Sequence, residues 1–170
     1  MSAMKVEMVN IGSINADPDF NARKDMGDME SLILSIQSDG IRTPVDVHKG
    51  KNGSFSLVAG FRRLEAAQTA GLSEVPAIIW PASTSQAKLL LRNMQENVVR
   101  ESLNPMEEAR GAQRLIESNM TEDDVREALG WTKTLLTQRL QLLELGEPIQ
   151  EALTSDRITV AQARTIGELP

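Results

Sequence analysis

Glu96, Asn97 and Arg100 place a carboxylate, an amide and a guanidinium within five consecutive residues. Asn and Glu oxygens suit a hard cation such as Mg2+, which usually takes one or two protein ligands and completes its shell with water and phosphate oxygens. Arg100 could meet a further phosphate or a counter-carboxylate. Taken alone, the three read better as the solvated end of a helix. A second stretch, Gly60-Phe61-Arg62-Arg63-Leu64-Glu65-Ala66-Ala67, offers complementary chemistry. Gly60 permits close backbone approach, and Arg62 and Arg63 fall in the first turn of a helix. Helix N-terminal amides and guanidinium forks bind phosphate oxygens. Two cations there oppose the macrodipole, which points to an anion, although ordinary surface arginines are an equal reading. A third group is Thr132, Lys133, Thr134, Thr137, Gln138 and Arg139, whose side chains suit phosphate and base-edge contacts.

The elements that would position these residues follow from periodicity and punctuation. Residues 4–9 alternate as a strand, and 10–25 are turn-rich, ending in the polar loop Phe20 to Asp25. Met29, Leu32, Ile33 and Ile36 recur at helical spacing, and Gly40 ends that helix. Strands at 45–47 and 55–58 flank a turn at 49–53, a helix covers 61–70, and a third apolar strand covers 75–80. Pro81 marks a change to helices, at 83–95, 105–118, 148–154 and 158–167. Asn104, Pro105 and Glu107 form a helix start of cap, first-turn proline and capping-box partner. Between 121 and 145, Thr121 and Thr132 cap two helices joined through Gly130-Trp131, a helix-turn-helix. A helical hairpin that only packs or binds protein is the competing reading. The fold class expected is α+β. A small mixed-sheet domain at 1–82 precedes an all-helical domain at 83–170.

Composition bounds these readings. The 170 residues are 41% hydrophobic but only 3% aromatic, so the core must be aliphatic. Without Cys, thiolate metal sites and disulfides are excluded, and the one histidine, His48, rules out a multi-histidine site within one chain. No apolar run reaches membrane-spanning length and no signal-peptide layout is visible, so a cytoplasmic protein without membrane attachment is expected. The net charge of −6 argues against general adhesion to nucleic acid. Residues 121–170 carry 5 basic and 9 acidic groups, an excess that weighs against a DNA-binding helix-turn-helix unless one face is locally basic.

The ordered set of motifs resembles the ParB partition-protein family. It comprises Ser35-Ile36-Gln37-Ser38-Asp39-Gly40-Ile41-Arg42-Thr43-Pro44, the Gly60 to Ala67 stretch, Val75-Pro76-Ala77-Ile78, Glu96-Asn97-Val98-Val99-Arg100-Glu101-Ser102-Leu103-Asn104-Pro105, the helix-turn-helix, and Ile158-Thr159-Val160-Ala161-Gln162-Ala163-Arg164. The resemblance covers nearly the whole chain in collinear order. It implies an N-terminal domain that binds CTP with Mg2+, and a helix-turn-helix that reads a parS-like double-stranded DNA site. Nucleotide and DNA together would close two protomers into a sliding clamp through their N-terminal domains, and slow CTP hydrolysis would reopen it. Carried over by motif, Gly60, Arg62 and Arg63 would hold phosphates, with Phe61 beside them. Asn97 and Glu96 would serve the metal, Glu96 also hydrolysis, and Arg100 the phosphate site. Thr43 and Pro44 would lie near the base, and Arg23 in the loop covering the triphosphate. DNA segregation, a ParA-like ATPase partner and a nucleoid- or plasmid-associated location are implied with them.

Two departures are visible. Phe61 stands where the family usually has Glu, and Val99 where it has Gln, which bears on hydrolysis more than on binding. The chain also stops at Pro170, where the family continues into a C-terminal dimerisation domain. A piece lacking that domain is expected to dimerise weakly unless nucleotide drives association. Two other classes remain open: a kinase or nuclease on the same fold, and a repressor indifferent to nucleotide.

Overall fold

The computed structural model describes residues 5–24, 26–50, 52–99 and 103–167. They form two compact units, 1–93 and 94–170. The architecture is α+β, as expected.

The first unit is built on a five-stranded mixed sheet in the order β1-β5-β3-β4-β2. Its strands are β1 (Val6–Asn10), β2 (Ile14–Asn15), β3 (Val45–Lys49), β4 (Phe55–Ala59) and β5 (Glu74–Trp80). β1 runs antiparallel to β5 and β3 antiparallel to β4, while β3 is parallel to β5 and β2 to β4. The short β2 lies within a segment whose composition reads as turns. Two residues are too few to show alternation, and the strand is fixed by pairing with Phe55 and Ser56.

Side chains alternate across the sheet, so each strand feeds two layers. On one face Val45, Val47, Leu57, Val75 and Ala77 pack with Ile36 of α1 (Glu30–Asp39) and Leu64 of α2 (Phe61–Thr69). Each such aliphatic side chain contributes about 1.5–3 kcal/mol on burial. On the other face Val58 and Trp80 meet Leu89 of α3 (Gln86–Val99), with Phe20 and Ile78 alongside. That contact joins the first turns of α3 to the sheet. The division between units therefore falls inside α3 and not at Pro81.

The second unit is helical: α4 (Pro105–Glu117), α5 (Glu122–Leu129), α6 (Lys133–Leu142), α7 (Glu147–Thr154) and α8 (Val160–Gly167). Met106 and Ala109 of α4 share a core with Leu142, Leu153 and Ala163. Asn104 and Glu107 form the expected capping box, with Pro105 first in the helix. Thr121 makes a second box with Asp124, and Thr132 caps α6 by accepting from Leu135 N. Gly130, at φ 69, makes the left-handed turn between α5 and α6.

Candidate functional site

β4 ends at Ala59 and α2 begins at Phe61, with Gly60 at φ 97 between them. A Cβ at Gly60 would come within 2.8 Å of Val45 Cγ1 and 3.1 Å of Arg63 Cζ, so both the torsion and the space demand glycine. The two arginines that follow have different fates. Arg63 is buried, and its Nη1 donates to the carbonyls of Thr43 (3.0 Å) and Pro44 (2.5 Å). This ties the start of α2 to the segment entering β3 and brings four expected site residues together. Through Nη1, Arg63 braces Thr43 and Pro44. Sequence spacing cannot distinguish two neighbouring arginines on that point.

Arg62 turns the other way. Its Nη2 donates to Asp28 O at 2.6 Å. Arg23, from the loop before α1, approaches the same place: a Cβ at Gly27 would stand 3.1 Å from Arg23 Nη2 and 4.0 Å from Arg62 Nη2. Arg23 Nε and Arg62 Nε are both buried and meet no hydrogen-bond partner. Among the described residues one other buried side-chain nitrogen shares that condition, His48 Nε2 on β3. Unmet charged donors inside a protein are costly, and an acceptor within their reach would relieve both.

A cleft of about 430 Å³ is lined by Arg23, Lys24, Asn21, Phe61 and Glu65 among others; of the two arginines only Arg23 lines it. Phe61 is half-buried and packs against the main core. Asp28, whose carbonyl accepts from Arg62, has its carboxyl held below the usual carboxylate range. The hydrogen bond from the Ser31 hydroxyl is the leading cause and the Arg62 charge a smaller one.

Glu96 and Asn97 occupy the last turn of α3, Asn97 buried and Glu96 half-buried. Arg100 lies outside the described residues. No group of three or more acidic or His side chains that could hold a metal is present among the described residues.

In the second unit, Thr132, Lys133, Thr134 and Thr137 are exposed at the start of α6, and Gln138 is half-exposed. Arg139 departs from its expected place on the open face. Its Nε donates to Glu108 Oε2 of α4 at 2.5 Å, and the two side chains retain only 17% and 18% exposure. The α6 face therefore presents hydroxyls and one lysine, with the guanidinium turned inward.

Residues not singled out from sequence hold the first unit together. Asp46 is 1% exposed and accepts from Trp80 Nε1 at 2.8 Å and from Arg92 Nε and Nη2 at 3.1 and 2.9 Å. A lone Asp between valines in β3 was the available signal, since a buried carboxylate requires a cation. Asn93 likewise joins distant segments, donating to Val58 O and accepting from Ala22 N.

Comparison with known proteins bears on what such a chain is. The family model of the ParB N-terminal domain matches residues 1–98, and that of the ParB HTH domain matches residues 101–170. The probable chromosome-partitioning protein ParB of Neisseria meningitidis serogroup A is 38% identical over 154 residues, 89% of this chain and 53% of that protein. The chain thus spans about half the length of the curated relatives it matches. Among solved structures, C-terminally truncated ParB of Caulobacter crescentus complexed to the centromeric parS site is similar at TM-score 0.66. It is 26% identical, with coverage of 96% of this chain and 86% of that one. The same truncated protein complexed with CTP-gamma-S is similar at TM-score 0.51. Identity there is 30%, with coverage of 97% and 93%.

Proposed function

The chain belongs to the ParB family, and from that premise we propose that it is a CTP-dependent, DNA-binding clamp protein of DNA partition. The observation that carries the nucleotide half is the pair of buried, unpartnered Nε atoms of Arg23 and Arg62, whose guanidinium groups approach Gly27, with Arg23 also lining a cleft. Those donors fit phosphate oxygens, which would satisfy both guanidinium groups at once. CTP, when bound, brings the triphosphate charge that these donors lack. Gly60 gives the β4–α2 turn its left-handed torsion and leaves the room that Val45 and Arg63 fill, which sets the start of α2. Arg63 acts one step back, fixing the Thr43 and Pro44 carbonyls and with them the entry to β3. Phe61 offers the site apolar surface and no carboxylate, so binding is favoured over hydrolysis. Glu96 and Asn97 are assigned to Mg2+ through the family motif, Glu96 also to any hydrolysis. With so few acidic side chains available, such an ion would take most of its ligands from phosphate and water.

For DNA, the reading rests on the helix-turn-helix of α5 and α6 and on the exposed Thr132, Lys133, Thr134 and Thr137, with Gln138 at their side. These suit phosphate oxygens and base edges of a specific double-stranded, parS-like site. Self-association through N-terminal domains when nucleotide is bound, action with a ParA-like ATPase, and a cytoplasmic, nucleoid- or plasmid-associated location complete the proposal. Among the described residues no helix is long and apolar enough to cross a membrane.

Calorimetric titration with CTP, ATP and GTP in Mg2+, on wild type and Asn97→Ala, tests this reading. CTP-selective binding that Asn97→Ala abolishes is the expected result. Unchanged affinity in the variant would remove Asn97 from the site, and selective binding of ATP would favour a kinase-like enzyme.

A further inference from the structure

We infer that Asn93 is a positioning residue for the nucleotide site, acting through the loop that carries Arg23; the inference rests on the nucleotide reading above. The starting point is an irregularity in the sheet. Asp46 pairs with Ala59 but the next residue, Val47, pairs with Leu57, so Val58 is left without a partner in the β3–β4 register. A bulge of this kind frees a backbone group from the ladder, and a buried carbonyl must find its donor elsewhere. Asn93 Nδ2 supplies it, 2.8 Å from Val58 O. The same side chain, 2% exposed, turns its Oδ1 to Ala22 N at 2.9 Å.

The chemistry of the position admits few residues. One side chain must donate in one direction and accept in the other at the same reach, which an amide does and a carboxylate or an aliphatic group does not. The result is a clip between segments 35 and 71 residues distant from it in sequence. One end is β4, two residues before Gly60 and four before Arg62. The other is Ala22, the residue before Arg23. Asn21, also buried, accepts from Arg23 N at 3.3 Å, so the backbone on both sides of Ala22 is pinned. Asn93 thereby sets the distance between the two elements that bring Arg23 and Arg62 to Gly27. Asn93 itself does not line the cleft.

The test is a double-mutant cycle on the full chain, read as CTP affinity in Mg2+ by calorimetry well below every variant's unfolding midpoint. Asn93→Ala is expected to weaken CTP binding about tenfold in the wild-type background, a coupling of ordinary size. In an Arg23→Ala background the same change is expected to cost less than twofold, because the residue it positions is gone. Equal losses in both backgrounds, or none in the first, overturn the inference. Should Asn93→Ala fail to fold, amide hydrogen exchange on the wild type decides: a protected Ala22 N–H supports the clip, and exchange at the rate of open loop amides overturns it. Failure of the wild type to bind CTP would instead defeat the nucleotide reading, and the exchange measurement would still judge the clip.

Discussion

Arg62, in the first turn of α2 in the sheet unit, and Arg139, in the last turn of α6 in the helical unit, are both offered to ligands by the sequence, and the structure surrounds them differently. Arg62 is held by one backbone carbonyl and keeps a buried Nε without a partner. Arg139 is answered by Glu108 and is mostly covered. The two arginines thus differ in how far their donors are met, a difference that a place on a helical wheel does not report. A site waiting for an anion keeps donors in reserve at some cost in stability. A helix that must hold its angle against a neighbour does not.

The comparison can be broken most sharply at Arg139. Replacing it with Ala leaves Glu108 partly buried and unanswered, and should cost about 2–3 kcal/mol in urea unfolding, somewhat below a fully buried pair. The slope of DNA affinity against salt should stay unchanged, since the group neutralises no phosphate. A loss under about 0.5 kcal/mol, or a slope reduced by about one, would return Arg139 to the DNA face. Arg62→Ala should behave in the reverse manner. CTP affinity should fall about 10- to 100-fold, the scale of a charge-assisted hydrogen bond, with stability moving by no more than about 0.5 kcal/mol. If stability falls and affinity does not, the two arginines are alike after all.

The smallest effect comes from local carboxylates. Asp124 has its carboxyl lowered chiefly by the Thr121 hydroxyl, as Asp28 has by that of Ser31. A depressed folded pKa stabilises above the ordinary carboxylate range and loses that contribution as pH falls through the lowered value. The Tm deficit of Asp124→Asn against wild type should thus be present at neutral pH and close in acid. A deficit independent of pH would show that the pair acts through packing alone.

Caps and elements were legible because their signals are local. Asn104 with Glu107 and Thr121 with Asp124 lie within one turn, and the spacing of Met29 to Ile36 needs only its own helix. The convergence of Gly60, Arg63, Thr43 and Pro44 was legible only as motif resemblance. Asp46 with Arg92, Asn93 with Ala22 and Glu108 with Arg139 are 46, 71 and 31 residues apart. No periodicity reports such a distance, so the sequence could offer Arg139 to DNA when the fold offers it to Glu108. β2 escaped notice for the same reason, being defined by its partner.

The strand order has a consequence for how the protein is made. β1 pairs with β5, with Val6 opposite Ile78, so among the described strands of its sheet β1 is made early and waits for the one made last. Loop closure on that scale is slow compared with the pairing of adjacent helices such as α5 and α6. On the ribosome the sheet cannot close before β5 has left the exit tunnel. Until then β1 is a strand without a mate, and that interval is when the nascent chain most needs protection from aggregation.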